Sequence, residues 1–316
     1  MFFLREIAVS LTFFVLFYCL LSALVAITWR ALQLFRGSDK FLADLLFALR
    51  VLPLLASIVL TLVFVVPSFQ LLEPRSIDER MGAMPIGLGV FALVLIAVGG
   101  LRVIAAHTRT SRMVTQWLDG ASLLNADMGA WALTFRTKRE APPMMLVGVR
   151  KPRVLVSEST VTLLSPNELR IALRHELAHI RSRDNLKKLL FRFCPFPGMT
   201  QLESAWSRST ELAADGASVT KLHDAVDLAA ALVKLSRLVS VDAVQFCTVG
   251  FVTGSIVTGS IGERVARLLA WNERQSHSAR LRPYAISAIL ITFLCVFSTY
   301  GPALRLTHEM TEWLVR

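Results

Sequence analysis

The stretch Arg174-His175-Glu176-Leu177-Ala178-His179 joins two imidazoles and a carboxylate at helical spacing. Residues four apart on a helix lie roughly 40° apart around its axis, so both rings can reach one ion. Imidazole nitrogen suits zinc, and a catalytic zinc site uses three protein ligands and leaves a fourth position for water. The carboxylate between the histidines then stands where it can take a proton from that water. The spacing predicts peptide-bond hydrolysis at one zinc ion, with His175 and His179 as ligands and Glu176 as general base. A helix that merely displays two surface histidines is the plain alternative.

A third ligand must come from elsewhere in the chain. Glu211-Leu212-Ala213-Ala214-Asp215 offers Glu211 as that ligand from a second helix. Asp215, one turn later on the same face, can accept a hydrogen bond from a ligating histidine and fix its ring. Glu203 is the alternative ligand, and a solvated acidic face is the alternative reading of the pair. The oxyanion of peptide hydrolysis needs a donor besides the metal. Tyr18, Tyr284 and Tyr300 all fall in the apolar windows described below. His223 and Arg208 remain as oxyanion candidates, against a surface histidine and an ion-paired arginine.

The elements that hold these residues are partly legible. Ser165 suits an N-cap, Pro166 the first helical position, and Glu168 completes a capping box. A helix from Ser165 is expected to run through His179 to about Lys188. A mostly apolar run, Leu189-Leu190-Phe191-Arg192-Phe193-Cys194, follows and is broken by Pro195 and Pro197. Further helices are expected over about 203–215 and 222–239. Residues 131–136 and 144–157 read as short strands, with turn signals at Pro142, Pro143, Gly148 and Pro152. These strands could offer a sheet edge to an extended substrate, or form a purely structural small sheet.

The rest of the chain is apolar beyond the range of ordinary soluble proteins. Hydrophobic residues make up 54% of 316, and mean hydropathy is +0.56. Windows 7–29, 51–72, 81–101 and 283–304 carry no Asp, Glu, Lys or Arg. Each matches the roughly 20 residues that cross a hydrocarbon core as a helix. The first is longer than a signal-peptide core and is read as retained. A fifth charge-free window, 243–262, is rich in Gly, Ser and Thr and reads as loop or short strand rather than a span.

Basic loops stay cytoplasmic. Loop 30–50 carries Arg30, Arg36, Lys40 and Arg50 against Asp39 and Asp44, and Arg102, Arg109 and Arg112 follow the third window. Both regions are therefore expected inside, with the N-terminus, loop 73–80 and tail 305–316 outside. The net charge of +11 suits a surface facing anionic lipid. No nucleic-acid-binding motif accompanies it, so direct nucleic-acid binding is not expected. The four cysteines form no Cys-x-x-Cys pair and imply neither a disulfide framework nor a cysteine metal site.

The order of motifs is similar to gluzincin-type membrane peptidases. His175-Glu-Leu-Ala-His179 is followed by Asp184 and then by Glu211-x-x-Ala-Asp215. Leu164-Ser165-Pro166-x-Glu168-Leu169 precedes the histidines, and Gly262-Glu263-Arg264-Val265 precedes the last window. The nearest resemblance is to the BlaR/MecR family of membrane sensor-transducers. The motif is shared with HtpX-type heat-shock proteases and CAAX prenyl proteases. The resemblance implies a mostly α membrane protein of four transmembrane helices. An α+β, gluzincin-like zinc-peptidase domain, residues 105–282, would lie between the third and fourth helices and face the cytoplasm. Residues 1–104 would hold the first three spans, 283–304 the fourth, and 305–316 a short extracytoplasmic tail. Asp184 would brace the zinc helix.

The implied activity is that of a zinc metalloendopeptidase of the cell (inner) membrane. Its partners would be the lipid bilayer and a cytoplasmic protein or peptide, in that family a transcriptional repressor. Beta-lactam sensing is not carried over, because the family's penicillin-binding domain follows the fourth span and only residues 305–316 follow it here. Quality control of membrane proteins, as in the HtpX type, and a non-catalytic signalling scaffold are the alternatives.

Overall fold

The computed structural model describes residues 2–30, 38–73, 82–124, 133–137, 142–238, 261–271 and 300–313. Window 243–262, apart from its last two residues, and most of the expected fourth span 283–304 lie outside these residues. Three long apolar helices begin the chain. They are α1 (Phe2–Thr28), a continuous run through α2 (Asp39–Leu60), a π-helical turn (Thr61–Val65) and α3 (Val66–Leu72), and then α4 (Ala83–Leu118). All three are long and apolar enough to cross a membrane. Leu20, Leu24, Leu52, Leu55, Leu93 and Val94 are exposed on their outer surfaces, which suits a hydrocarbon surround and not water.

Each helix runs beyond its charge-free window. At one end, Arg5 pairs with Glu73 at 3.1 Å and Gln70 donates to Glu6 at 2.6 Å. At the other end the helices leave the apolar zone and join the rest of the chain. Val25, Trp29, Leu46 and Val51 pack with Phe191, Met199, Leu202 and Trp206 in one core. Arg30 donates to Gln201, and the Tyr18 hydroxyl donates to the Pro195 carbonyl at 3.1 Å. The flanks of loop 30–50 and the chain after α4 therefore sit on the same side of the three-helix bundle. Loop charge also places these two regions on one side.

A small mixed sheet follows α4. Its strands are β1 (Ser122–Leu123), β2 (Leu133–Thr137), β3 (Met144–Val147) and β4 (Arg153–Ser157), in the order β1-β2-β4-β3. β2 and β4 run parallel; the other two pairs are antiparallel. Alternate residues of a strand face opposite ways. Met144, Leu146, Val154 and Val156 accordingly meet the helix bearing the histidines, while Met145, Val147 and Leu155 meet Trp117 at the end of α4. Residues 144–157, read from sequence as short strands with turn signals at Gly148 and Pro152, form two strands joined by a turn at Gly148. Its φ is +90°, and a Cβ there would lie 2.6 Å from the Lys151 carbonyl oxygen, so only glycine fits.

Five helices complete the described domain. They are α5 (Glu158–Leu163), α6 (Pro166–Ser182), α7 (Asp184–Phe193), α8 (Thr200–Ser218) and α9 (Leu222–Ser236); α10 (Ile261–Leu269) follows outside that run, and residues 300–313 are also helical. The capping box forms: Glu168 N–H donates to Ser165 Oγ, and Ser165 N–H donates to the Glu168 carboxylate. Such a cap contributes about 1 kcal/mol. Leu173 and Leu177 of α6 then bury between the sheet and Ala231 and Leu235 of α9.

The helix does not continue to Lys188. Arg183 adopts left-handed geometry (φ 55°, ψ 39°) and starts α7 in a new direction. That conformation costs a non-glycine residue roughly 1 kcal/mol. Contacts just beyond the bend offset the cost, since Asn185 donates to the Gly148 carbonyl at 2.9 Å and Asp184 faces His179. The far end of α7 lies against α4 so closely that a Cβ on Gly99 would come within 2.3 Å of the Phe193 carbonyl oxygen.

Candidate metal centre

Four elements converge at one buried point. α6 carries His175, Glu176 and His179, α7 begins with Asp184, α8 carries Glu211 and Asp215, and α10 carries Arg264. All seven side chains are buried. The Nε2 atoms of His175 and His179 lie 3.1 Å apart. Glu211 reaches both, with Oε2 3.4 Å from His175 Nε2 and Oε1 3.6 Å from His179 Nε2. Three donor atoms around one tetrahedral zinc ion lie about 3.3 Å from one another, so this set fits a single ion. One ligand atom from each of the three residues lies within 4.8 Å of the others.

Each imidazole is held from behind. His179 Nδ1 is 2.7 Å from Asp184 Oδ2, and His175 Nδ1 is 3.0 Å from Asp215 Oδ1. A carboxylate on Nδ1 keeps the proton there and turns a basic Nε2 inward. Arg264 closes the ring. It donates to both Asp215 oxygens at 2.7 and 2.6 Å, and its Nη1 is 3.0 Å from Glu211 Oε2.

The electrostatics follow from this packing. Burial alone would lower the His175 pKa, but Asp215 and Glu211 beside it push it up to about 9. Burial alone would raise Asp215, and hydrogen bonds from His175 and Arg264 instead hold it down at about 2. Glu211 is also lowered against its burial, by His179, His175 and Arg264. Burial disfavours the Arg264 charge, yet Asp215, Glu211 and Glu176 together raise its pKa above the ordinary value.

The candidates taken from sequence divide clearly. His175, Glu176, His179, Glu211, Asp215 and Asp184 are brought together. Glu203, the alternative ligand, pairs with Arg50 at 2.8 Å. The two oxyanion candidates stay on the surface. The Arg208 side chain is 60% exposed and pairs with Glu263, and His223 is 61% exposed beside Asp224. Helical position alone could not show which way they face. In the sequence Arg264 stands out only within Gly262-Glu263-Arg264-Val265. Its position some fifty residues beyond Asp215 gave no local reason to place it at the site.

No curated protein matches the chain. The family model of Peptidase family M48 matches residues 145–202, from β3 into the start of α8. It takes in both histidines, Glu176 and Asp184, and stops before Glu211. Together with the His-His-Glu cluster and the three apolar helices, this match supports a membrane-associated metallopeptidase of the zinc-dependent kind.

Proposed function

We propose that the protein is a membrane-anchored zinc endopeptidase that cleaves protein segments on the cytoplasmic side. The convergence of His175 Nε2, His179 Nε2 and the Glu211 carboxylate beside Glu176 carries this reading. Those three residues would hold zinc, whose Lewis acidity polarises a peptide carbonyl and acidifies water. Glu176 accepts the proton lost by the attacking water and delivers it to the departing amine. Asp215 and Asp184 keep each ligand ring oriented, and Arg264 holds Asp215 and Glu211 in register. The edge strand β3 packs beside α6, and an extended substrate chain would add to that edge. Arginines flanking the spans support the cytoplasmic orientation.

Glu176→Gln keeps the shape of the side chain and removes the base. The purified full-length variant should retain zinc and lose cleavage of a denatured protein substrate by at least about a hundredfold. Cleavage at the parent rate would sink the mechanism. The same variant separates the substrate classes implied by resemblance. Accumulation of one transcriptional repressor in cells marks a signalling circuit, and accumulation of many damaged membrane proteins marks quality control.

A further inference from the structure

A second site lies at the seam between the helix bundle and the domain. A cavity of about 950 Å³ opens between α4, α7 and the start of α8. None of the residues proposed to hold zinc lines it. Six cations do: Arg50, Arg102, Arg109, Arg112, Lys188 and Arg192. Among the described residues Glu203 is the one acidic side chain in the lining, and Arg50 is committed to it and to the carbonyls of Phe191 and Cys194. Arg102, Arg109 and Arg112 form no salt bridge with any described residue. They recur along α4 so that Arg102, Arg109 and Gln116 share a face turned to the cavity. Burial lowers the Arg192 pKa; Glu203 opposes this, and Arg102 adds repulsion. The charges of Arg102, Arg109 and Arg112 are therefore not neutralised by any described residue of the walls.

Its depth and floor indicate the source of the missing anion. Arg50 and Arg102 are the residues at which the second and third charge-free windows stop. The cavity thus sits at the level where hydrocarbon gives way to water. Its lining also includes Phe191, Phe196, Trp206 and Met113, an apolar floor beside a cationic rim. That combination matches an amphiphile bearing a phosphate, and basic pockets between membrane helices take anionic headgroups.

We propose that this cavity binds the phosphate headgroup of an anionic phospholipid from the adjoining leaflet. The test uses the full chain in neutral detergent, with short-chain phosphatidylglycerol as probe and phosphatidylcholine as comparison, followed by native mass spectrometry. Arg109→Gln/Arg112→Gln removes two exposed rim charges. Arg150→Gln/Lys151→Gln removes two charges from the β3–β4 turn and serves as the matched control. The rim pair should weaken phosphatidylglycerol binding roughly tenfold or more, with the control pair and the zinc content unchanged. Should the rim pair fold poorly, Arg109→Gln alone should still weaken binding several-fold. Equal losses in both pairs, or equal binding of phosphatidylcholine, would overturn the site. Inorganic phosphate that binds through the same arginines while phosphatidylglycerol does not would overturn the lipid source. An acidic peptide that binds there in place of the lipid would overturn it as well.

Discussion

The rings of His175 and His179 meet edge-on, with centroids 4.8 Å apart, and each lies against a different carboxylate from a different helix. Arg264 is what allows so many carboxylates to sit together. It lies between Asp215 and Glu211, which would otherwise repel each other in a buried place. Arg264→Met should lower zinc retention about 10–100-fold in chelator competition and lower thermal stability as well. Retention at the parent level would show that the ion pair is dispensable. The pH dependence has a definite sign. His175 has its pKa raised to about 9, so its proton stabilises the metal-free fold fully below its ordinary value near 6.5, and that contribution is lost as pH rises through about 9. Zinc competes with the same proton, so apparent zinc affinity should rise by up to about tenfold per pH unit between 6.5 and 9. Titration with a chelator-buffered zinc series at several pH values measures it.

At the scale of elements, the decisive piece is the bend at Arg183. Without it Asp184 would continue along α6 and could not face back to His179. Nothing in Ser182-Arg183-Asp184 announces a break, since none of the three is glycine, proline or asparagine. The bend is made by contacts with Gly148 and His179, which a local reading does not contain. The start of α6 is the opposite case, because Ser165, Pro166 and Glu168 state their roles within four residues. Glu211 and Asp215 were legible because both lie one turn apart on a single helix; Arg264 was not, because only tertiary packing brings α10 to them. α7 runs from the site to the Gly99 contact on α4. Gly99→Leu should force α7 away from α4 and reduce peptidase activity about tenfold or more, while α4 keeps its length and apolarity. Activity and zinc content of the purified variant, compared with the parent, report the effect.

At the scale of the whole molecule, three charge-free windows fall almost wholly within three longer apolar helices. α4 runs to Leu118, so its last turns belong to the domain and its Trp117 closes one face of the sheet. Loop charge predicted which ends share a side. It could not predict that the same arginines would surround a cavity, because Arg50 and Arg102 are distant in sequence and the fold alone brings them to one lining.

The mixed core of Val25, Trp29 and Leu46 with Phe191, Leu202 and Trp206 has a practical corollary. Severing residues 105–282 as a free-standing enzyme would uncover the aromatic underside of α7 and α8. Trp206 is only 2% exposed in the intact chain. Such a fragment should aggregate during expression and hold zinc poorly, whereas the full chain in detergent should remain monodisperse on gel filtration. The first two helices are thus more than a tether. They are half of the mould in which the hydrolytic half is cast.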